Sequence, residues 1–292
     1  MRIRSAVIVS AFVGLTVTMP AVAAAQASSP TAPAAQASQP GPREYITFFY
    51  THDKLKLEAY LYAPSGAGPF PVVVYNHGSR AGFEREERPA AFIANVLVPA
   101  GYAVIVPERR GYGKSEGQTF AEEVGEDGGA RFVARQQAEA GDVVAAVEYA
   151  KANLPIDKKR IVLMGFSFGG IVTTLAASRS SDFVAVVNQA PGALNWKHSP
   201  AMVDELLAAA RKIKAPMICM AAQNDATTEN VTRICGEAKK HGGAAELMIY
   251  PPFSDDRAQI PGAAGHGLFS RYGVDLWKKD VLAFLGKTVA SQ

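Results

Sequence analysis

Three residues far apart in this sequence have the types that nucleophilic catalysis needs: a serine at 167, a carboxylate at 225 and a histidine at 266. Ser167 sits in GFSFGG, residues 165–170, directly after the apolar run RIVLM. Glycine has no Cβ, so it accepts positive φ and lets backbones approach closely. Gly165, Gly169 and Gly170 around one serine therefore mark a turn too tight for ordinary side chains. Between a strand and a helix, G-x-S-x-G lifts the serine hydroxyl above the sheet edge, and the helix N-terminus behind it favours developing negative charge. The competing reading is a tight strand-to-helix turn with an incidental serine.

A serine hydroxyl needs a general base, and that base needs an orienting acid. The turn resembles that of the α/β-hydrolases, a resemblance that implies partners following in the order serine, acid, histidine. Of the five histidines, only His198, His241 and His266 lie downstream of Ser167. His241, in KKHGG, reads as a helix C-terminal cap. His198, in NWKHSP, has no strand end to hold it. His266, in GAAGHGLF, falls in a loop between the final strand and the final helix, where the base is expected. For the acid, Asp225 in MICMAAQND ends the penultimate strand on the same sheet edge as Ser167. Asp255 and Asp256 compete but follow the last strand, where the order places the histidine. A helix N-cap is the structural alternative for Asp225, since DATTEN leads into a helix.

An anion hole completes such a site. One donor is the backbone N–H after the nucleophile, Phe168, and the other comes from the loop after the third strand, VVVYNHGS. Ser79 is the first candidate there and Gly78 the second. His77 precedes the serine and is read as a brace for that loop. A purely structural glycine turn at this point stays open.

These residues need a frame. EYITFFY and LEAYLYA alternate around THDK, which spells an antiparallel hairpin. PVVVYN, YAVIVPE, RIVLM, DFVAVVNQ, PMICMAAQ and AELMIY are β-rich runs, most without polar alternation, as expected of strands buried on both faces. Helices are expected around RPAAFIANVLVPA, AEAGDVVAAVEYAKANL, GGIVTTLAAS, MVDELLAAARKI and GVDLWKKDVLAFL. The fold class is therefore α/β: a mostly parallel central sheet of about eight strands with helices on both faces. The stretch APGALNWKHSPAMVDELLAAARKIKA is expected to form a small lid over the serine, with Trp196 lining a pocket or simply packing. The acidic, glycine-rich FAEEVGEDGGARFVARQQ reads as another wall or as a solvated loop.

The 292 residues, 48% hydrophobic, suffice for one large core. Arg2 and Arg4 precede an apolar stretch that ends in AVAAAQA, the pattern of a secretory signal peptide over residues 1–27. An uncleaved anchor is the alternative. Residues 28–43, rich in Ala, Pro and Ser, read as a disordered leader, and residues 44–292 as the folded domain. Export to the periplasm or medium is expected, with no membrane attachment once the signal is cleaved. Cleavage removes two arginines and no acid, taking the formal charge from +3 to +1. No basic cluster interleaved with aromatics supports nucleic-acid binding. Cys219 and Cys235 are open between a disulfide and buried thiols. Neither has metal-ligand spacing, and the chemistry calls for no metal or cofactor. Nothing sets an oligomeric state.

Together YNHGS, PERRGYGKSEG, GFSFGG, QND and GAAGHGLF resemble the α/β-hydrolase superfamily, closest to its dienelactone-hydrolase-like and prolyl-oligopeptidase-like esterases. The resemblance covers the chain from about Glu44 to the last helix. It implies an α/β-hydrolase fold and cleavage of small to medium acyl esters or lactones, with Ser167, Asp225 and His266 catalytic. It also implies a structural role for Arg110 and Gly111. Dienelactone hydrolase itself uses cysteine where this chain has Ser167, which points to ordinary ester cleavage. The alternatives are a peptidase of the prolyl-oligopeptidase type, whose usual propeller domain this chain has no room for, and a non-catalytic binding module on the same fold.

Overall fold

The computed structural model describes residues 43–289. The expected signal peptide and leader lie outside the described residues, except for Arg43, which opens the first strand. Arg43–Tyr50 (β1) and Lys56–Ala63 (β2) pair antiparallel in the register Arg43↔Ala63 to Tyr50↔Lys56, as the alternation predicts. Then come Phe70–Asn76 (β3), helix Ala91–Leu97 (α1), Ala103–Pro107 (β4), the single turn Phe120–Glu123 (α2) and the long helix Ala130–Asn153 (α3). Ile156–Phe166 (β5) leads into Phe168–Ala177 (α4), and Phe183–Gln189 (β6) into Pro200–Ala210 (α5). Met217–Ala222 (β7), Glu229–Lys240 (α6), Ala245–Tyr250 (β8) and Val274–Val289 (α7) complete the order.

The eight strands form one sheet in the order β1-β2-β4-β3-β5-β6-β7-β8, parallel from β4 to β8. Continuous apolar runs take the middle of the sheet because both of its faces are covered. All five residues of β4 and all six of β7 are buried, whereas the edge strand β8 exposes Leu247 and Ile249. Val72, Val74, Leu163 and Val186 pack on one face against α3, α4, α5 and α6. Val73, Val162 and Val187 pack on the other against Ile93 of α1 and Trp277, Val281 and Phe284 of α7. The chain leaves β3 to one side for β4, then crosses to the other side for β5. Such a reversal opens a crevice at the carboxyl ends of the strands, where ligands bind in open α/β sheets.

Two expectations need correction. Residues 190–215 do not form a separate lid, because α5 is an ordinary crossover helix between β6 and β7. Met202, Leu206 and Ala210 of α5 are buried in the same core layer as α4. Trp196 is only 4% exposed, packs in that layer and lies under the Arg233 guanidinium. The stretch expected to be a wall or solvated loop is largely helical: Thr119 and Glu122 make a capping box for α2, and α3 begins at Ala130. Its sequence looks polar because the buried side of this turn of α3 carries Arg135, Gln136 and Glu139. Cys219 and Cys235 are both buried free thiols, and burial pushes the Cys219 thiol up.

Candidate active site

Ser167 follows the last residue of β5 and precedes α4, with φ 56° and ψ −117°. A non-glycine residue at positive φ is strained by about 1–3 kcal/mol and persists only where its surroundings hold it. The Ser167 N–H donates to the Gln189 carbonyl (2.9 Å), and its own carbonyl accepts from Gly170, Ile171 and Gly192. The neighbouring glycines are demanded by close approach. A Cβ on Gly165 would run into the Gly169 carbonyl and Thr173 Oγ1, and one on Gly169 into the carbonyls of Asn76 and His77. One on Gly170 would come within 2.7 Å of Asn188 Oδ1.

The structure brings Ser167, His266 and Asp225 together across 99 and 41 residues of sequence. His266 Nε2 lies 2.7 Å from Ser167 Oγ, and His266 Nδ1 lies 2.9 Å and 3.0 Å from the two Asp225 oxygens. All three side chains are buried. With Nδ1–H donating to the carboxylate, Nε2 offers its lone pair to the serine hydroxyl. Asp225 also accepts from the Ala226 N–H at 2.6 Å. It does not cap α6, whose N-cap is Thr228.

His266 sits in a short 3-10 segment, Ala264–Phe269, with its ring centroid 4.9 Å from that of Phe166. Gly265 lets this segment lie on the end of β7: its N–H donates to the Asn224 carbonyl, and a Cβ there would strike Asn224 and Asp225. Asn224 was not singled out from the sequence, yet its side chain ties the Asp225 turn to Phe253 beyond β8.

The competing residues are elsewhere. Asp255 is held at a pKa of about 2 by the Arg257 side chain, with which it pairs at 2.7 Å. Asp256 accepts from Gln259. His241 is the C-cap of α6, and His198 is exposed beside Lys197.

The turn after β3 lies against the serine. A Cβ on Gly78 would stand 3.4 Å from Ser167 Cβ and 3.3 Å from the Phe166 ring. Among the described residues, neither the Phe168 nor the Ser79 N–H donates to another group, and the same holds for Gly78. His77 braces the turn: its Nδ1 lies 2.7 Å from the Gly78 carbonyl. Burial, reinforced by Arg109 and Arg80, holds its imidazole well below the usual histidine range.

A cavity of about 720 Å³ opens beside these groups, lined by Gly78, Ser79 and Phe166 near the serine, by Phe92 and by Phe269. Trp196 does not line it. Across the Ser167 turn, the Phe168 ring meets Phe120 of α2 and Phe132 of α3 edge-on, with centroids 5.1 Å and 6.0 Å away. Among the described residues, no group of three or more His, Cys, Asp or Glu is placed to hold a metal. Likewise, no described helix is long and apolar enough to cross a membrane.

Arg110 and Gly111 have structural places. Arg110 pairs with Asp142 and Asp53. Gly111 has φ 78°, and a Cβ there would collide with the Gln118 carbonyl.

The sequence profile of the X-Pro dipeptidyl-peptidase (S15) family matches residues 53–204, more than half of the chain. The quorum-quenching protein AidA of Acinetobacter baumannii (strain MDR-ZJ06) is 32% identical over 161 residues, which is 55% of this chain and 48% of AidA. The match thus spans about half the length of that relative. Among solved structures, the Pyrococcus furiosus esterase Pf2001 superposes over 85% of this chain and 94% of its own, with 21% identity and a TM-score of 0.61. The Pyrococcus horikoshii acylaminoacyl peptidase superposes over 85% of this chain and 42% of its own, with 16% identity and a TM-score of 0.64. Both structures share the α/β-hydrolase fold with this chain.

Proposed function

As a member of the X-Pro dipeptidyl-peptidase (S15) family, this chain is a hydrolase of the serine peptidase/esterase type, and we propose that it cleaves carboxylic esters of small to medium acyl groups, lactones included. Ser167 Oγ attacks the acyl carbonyl while His266 takes its proton, and Asp225 holds the imidazole in the tautomer that allows this. The oxyanion rests on the N–H groups of Phe168 and Ser79. His266 then protonates the leaving alcohol, and water, deprotonated by the same base, releases the acid from the acyl-enzyme. The observation that carries this reading is the 2.7 Å contact of His266 Nε2 with Ser167 Oγ, in line with Asp225 on the far side of the ring.

The ester reading is favoured over a dipeptidyl peptidase by the charges of the cavity. A peptide amino terminus is anchored best by a carboxylate that has no cation already beside it. Of the cavity carboxylates, Glu86 pairs with Arg88 at 2.6 Å and Glu87 with Lys114 at 2.7 Å. The aromatic walls suit an uncharged acyl or alkyl group instead. Export as a cleaved, secreted or periplasmic enzyme belongs to the same proposal and rests on Arg2, Arg4 and the apolar stretch behind them.

The test is turnover of short p-nitrophenyl esters by wild type and Ser167→Ala, with fluorophosphonate labelling of the native protein. Ester turnover lost in the variant and label on Ser167 is the expected result. Turnover retained in Ser167→Ala removes the reading, faster cleavage of a dipeptide p-nitroanilide makes the protein a peptidase, and absence of label makes it a binding module.

A further inference from the structure

Two buried arginine–glutamate pairs converge on the turn that carries Ser79. Arg80, the residue after it, donates to both oxygens of Glu108 at 2.5 and 2.6 Å, and to the carbonyls of Glu86 and Arg88 at 3.2 and 3.0 Å. One guanidinium thus joins the turn after β3, the end of β4 and the 86–88 segment of the cavity wall. From the other side, Arg109 donates to the His77 carbonyl at 3.0 Å and to Glu139 of α3 at 2.7 Å. Glu139 is held in turn by Arg135 at 2.9 Å. The His77 ring and both guanidinium groups face the buried Tyr112 ring, with centroid distances of 4.7 Å for His77, 5.7 Å for Arg80 and 5.3 Å for Arg109.

Stability alone does not call for such an arrangement. Burying charges costs free energy that their attraction only offsets, and well-packed apolar residues often serve as well or better. What charged, multiply bonded groups supply is a backbone held at one place. An oxyanion donor is sensitive to place: losing one costs about 10²–10³-fold in rate, and a displacement of 1 Å costs on the order of 10²-fold. We propose that Arg80 and Arg109, each set by its buried glutamate, are positioning residues that fix residues 77–79 so that the Ser79 N–H meets the oxyanion. This deepens the acyl-enzyme reading and rests on it.

Arg109→Lys and Glu108→Gln test the proposal. Lysine keeps the charge but lacks the fork that reaches Glu139 and the His77 carbonyl together. Glutamine keeps the shape at Glu108 but removes its charge. If either variant fails to fold, the other is read.

The measurements are kcat and KM on p-nitrophenyl butyrate, the inhibition constant of an alkyl trifluoromethyl ketone that forms a tetrahedral adduct, and the unfolding midpoint. In a folded variant, kcat should fall about 10-fold or more, with KM within about twofold. The ketone should weaken by the same factor as kcat/KM falls. Unchanged kcat and unchanged ketone affinity would overturn the inference, as would losses in both that follow a rise in KM. Ser167→Ala separates the two levels. Its inactivity beside active, unaltered variants rejects only the positioning role, whereas turnover in Ser167→Ala rejects the acyl-enzyme reading beneath it.

Discussion

Asn224 and Phe253 exchange two hydrogen bonds: the Asn224 side-chain N–H donates to the Phe253 carbonyl at 2.8 Å, and the Phe253 N–H donates to Asn224 Oδ1 at 2.9 Å. The pair joins the turn that carries Asp225 to the loop that leads to His266. Asp225 and His266 meet directly, and Asn224, which makes no hydrogen bond to Ser167, ties together the two segments that carry them.

Asn224→Ala should leave both Phe253 groups without their partner and destabilise the fold by about 1–3 kcal/mol. Ester turnover should fall as well, because the Asp225 turn and the His266 loop lose their tie. Urea unfolding together with kcat measures both, and a variant equal to wild type in both would refute the bracing role.

Asp225→Asn should retain the fold and lower kcat by on the order of 10³–10⁴-fold, because an amide no longer selects the His266 tautomer that offers Nε2 to Ser167. Circular dichroism and steady-state kinetics decide it. Comparable turnover would mean that another group orients the imidazole.

Gly169→Ala should cost about 3 kcal/mol or more, at or beyond the upper end of overpacking substitutions, since its Cβ would enter the carbonyls of Asn76 and His77. The same collision pushes the turn after β3 away from Ser167, so the remaining folded protein should be nearly inactive. A denaturant midpoint like that of wild type would contradict the close approach.

The buried, neutral His77 predicts a pH dependence. Its folded pKa lies well below 6.5, chiefly through burial, so below that pH the unfolded chain takes up a proton that the folded state refuses. The associated stability is intact above about pH 6.5 and is lost on acidification by about 1.4 kcal/mol per pH unit, until the folded pKa is reached. Unfolding free energies of wild type and His77→Gln, measured from pH 7.5 to 5, should differ by an amount that shifts with this slope in the acid range. Parallel curves would show that His77 titrates alike in both states.

Much of the site was readable in the chain because it is encoded by short-range geometry. GFSFGG, GHGLF and QND each state a local backbone requirement, and the glycines at 165, 169 and 265 prove to stand where a Cβ would strike another backbone or a side chain. The order of strands and helices was legible for a related reason: strands buried on both faces leave runs such as PVVVYN and PMICMAAQ with no polar alternation. Where local signals conflicted, the reading failed. Residues 130–137 look polar, yet Arg135 and Gln136 among them are buried, and residues 190–215 look like an excursion although α5 simply covers the sheet.

By itself, then, the sequence determined the type of turn at Ser167, the alternation that builds a parallel sheet, and the small set of downstream carboxylates and histidines able to serve that serine. How Asp225, Asp255 and Asp256 are placed was decided in space, where Arg257 engages Asp255 and, of the three, Asp225 meets His266. Tertiary structure alone paired Arg80 with Glu108, Arg109 with Glu139 and Asn224 with Phe253. These contacts join residues about 30 positions apart, and whether a charged or amide side chain at such a distance is solvated or buried against a partner is decided by the packing of the layers around it, which no local pattern records.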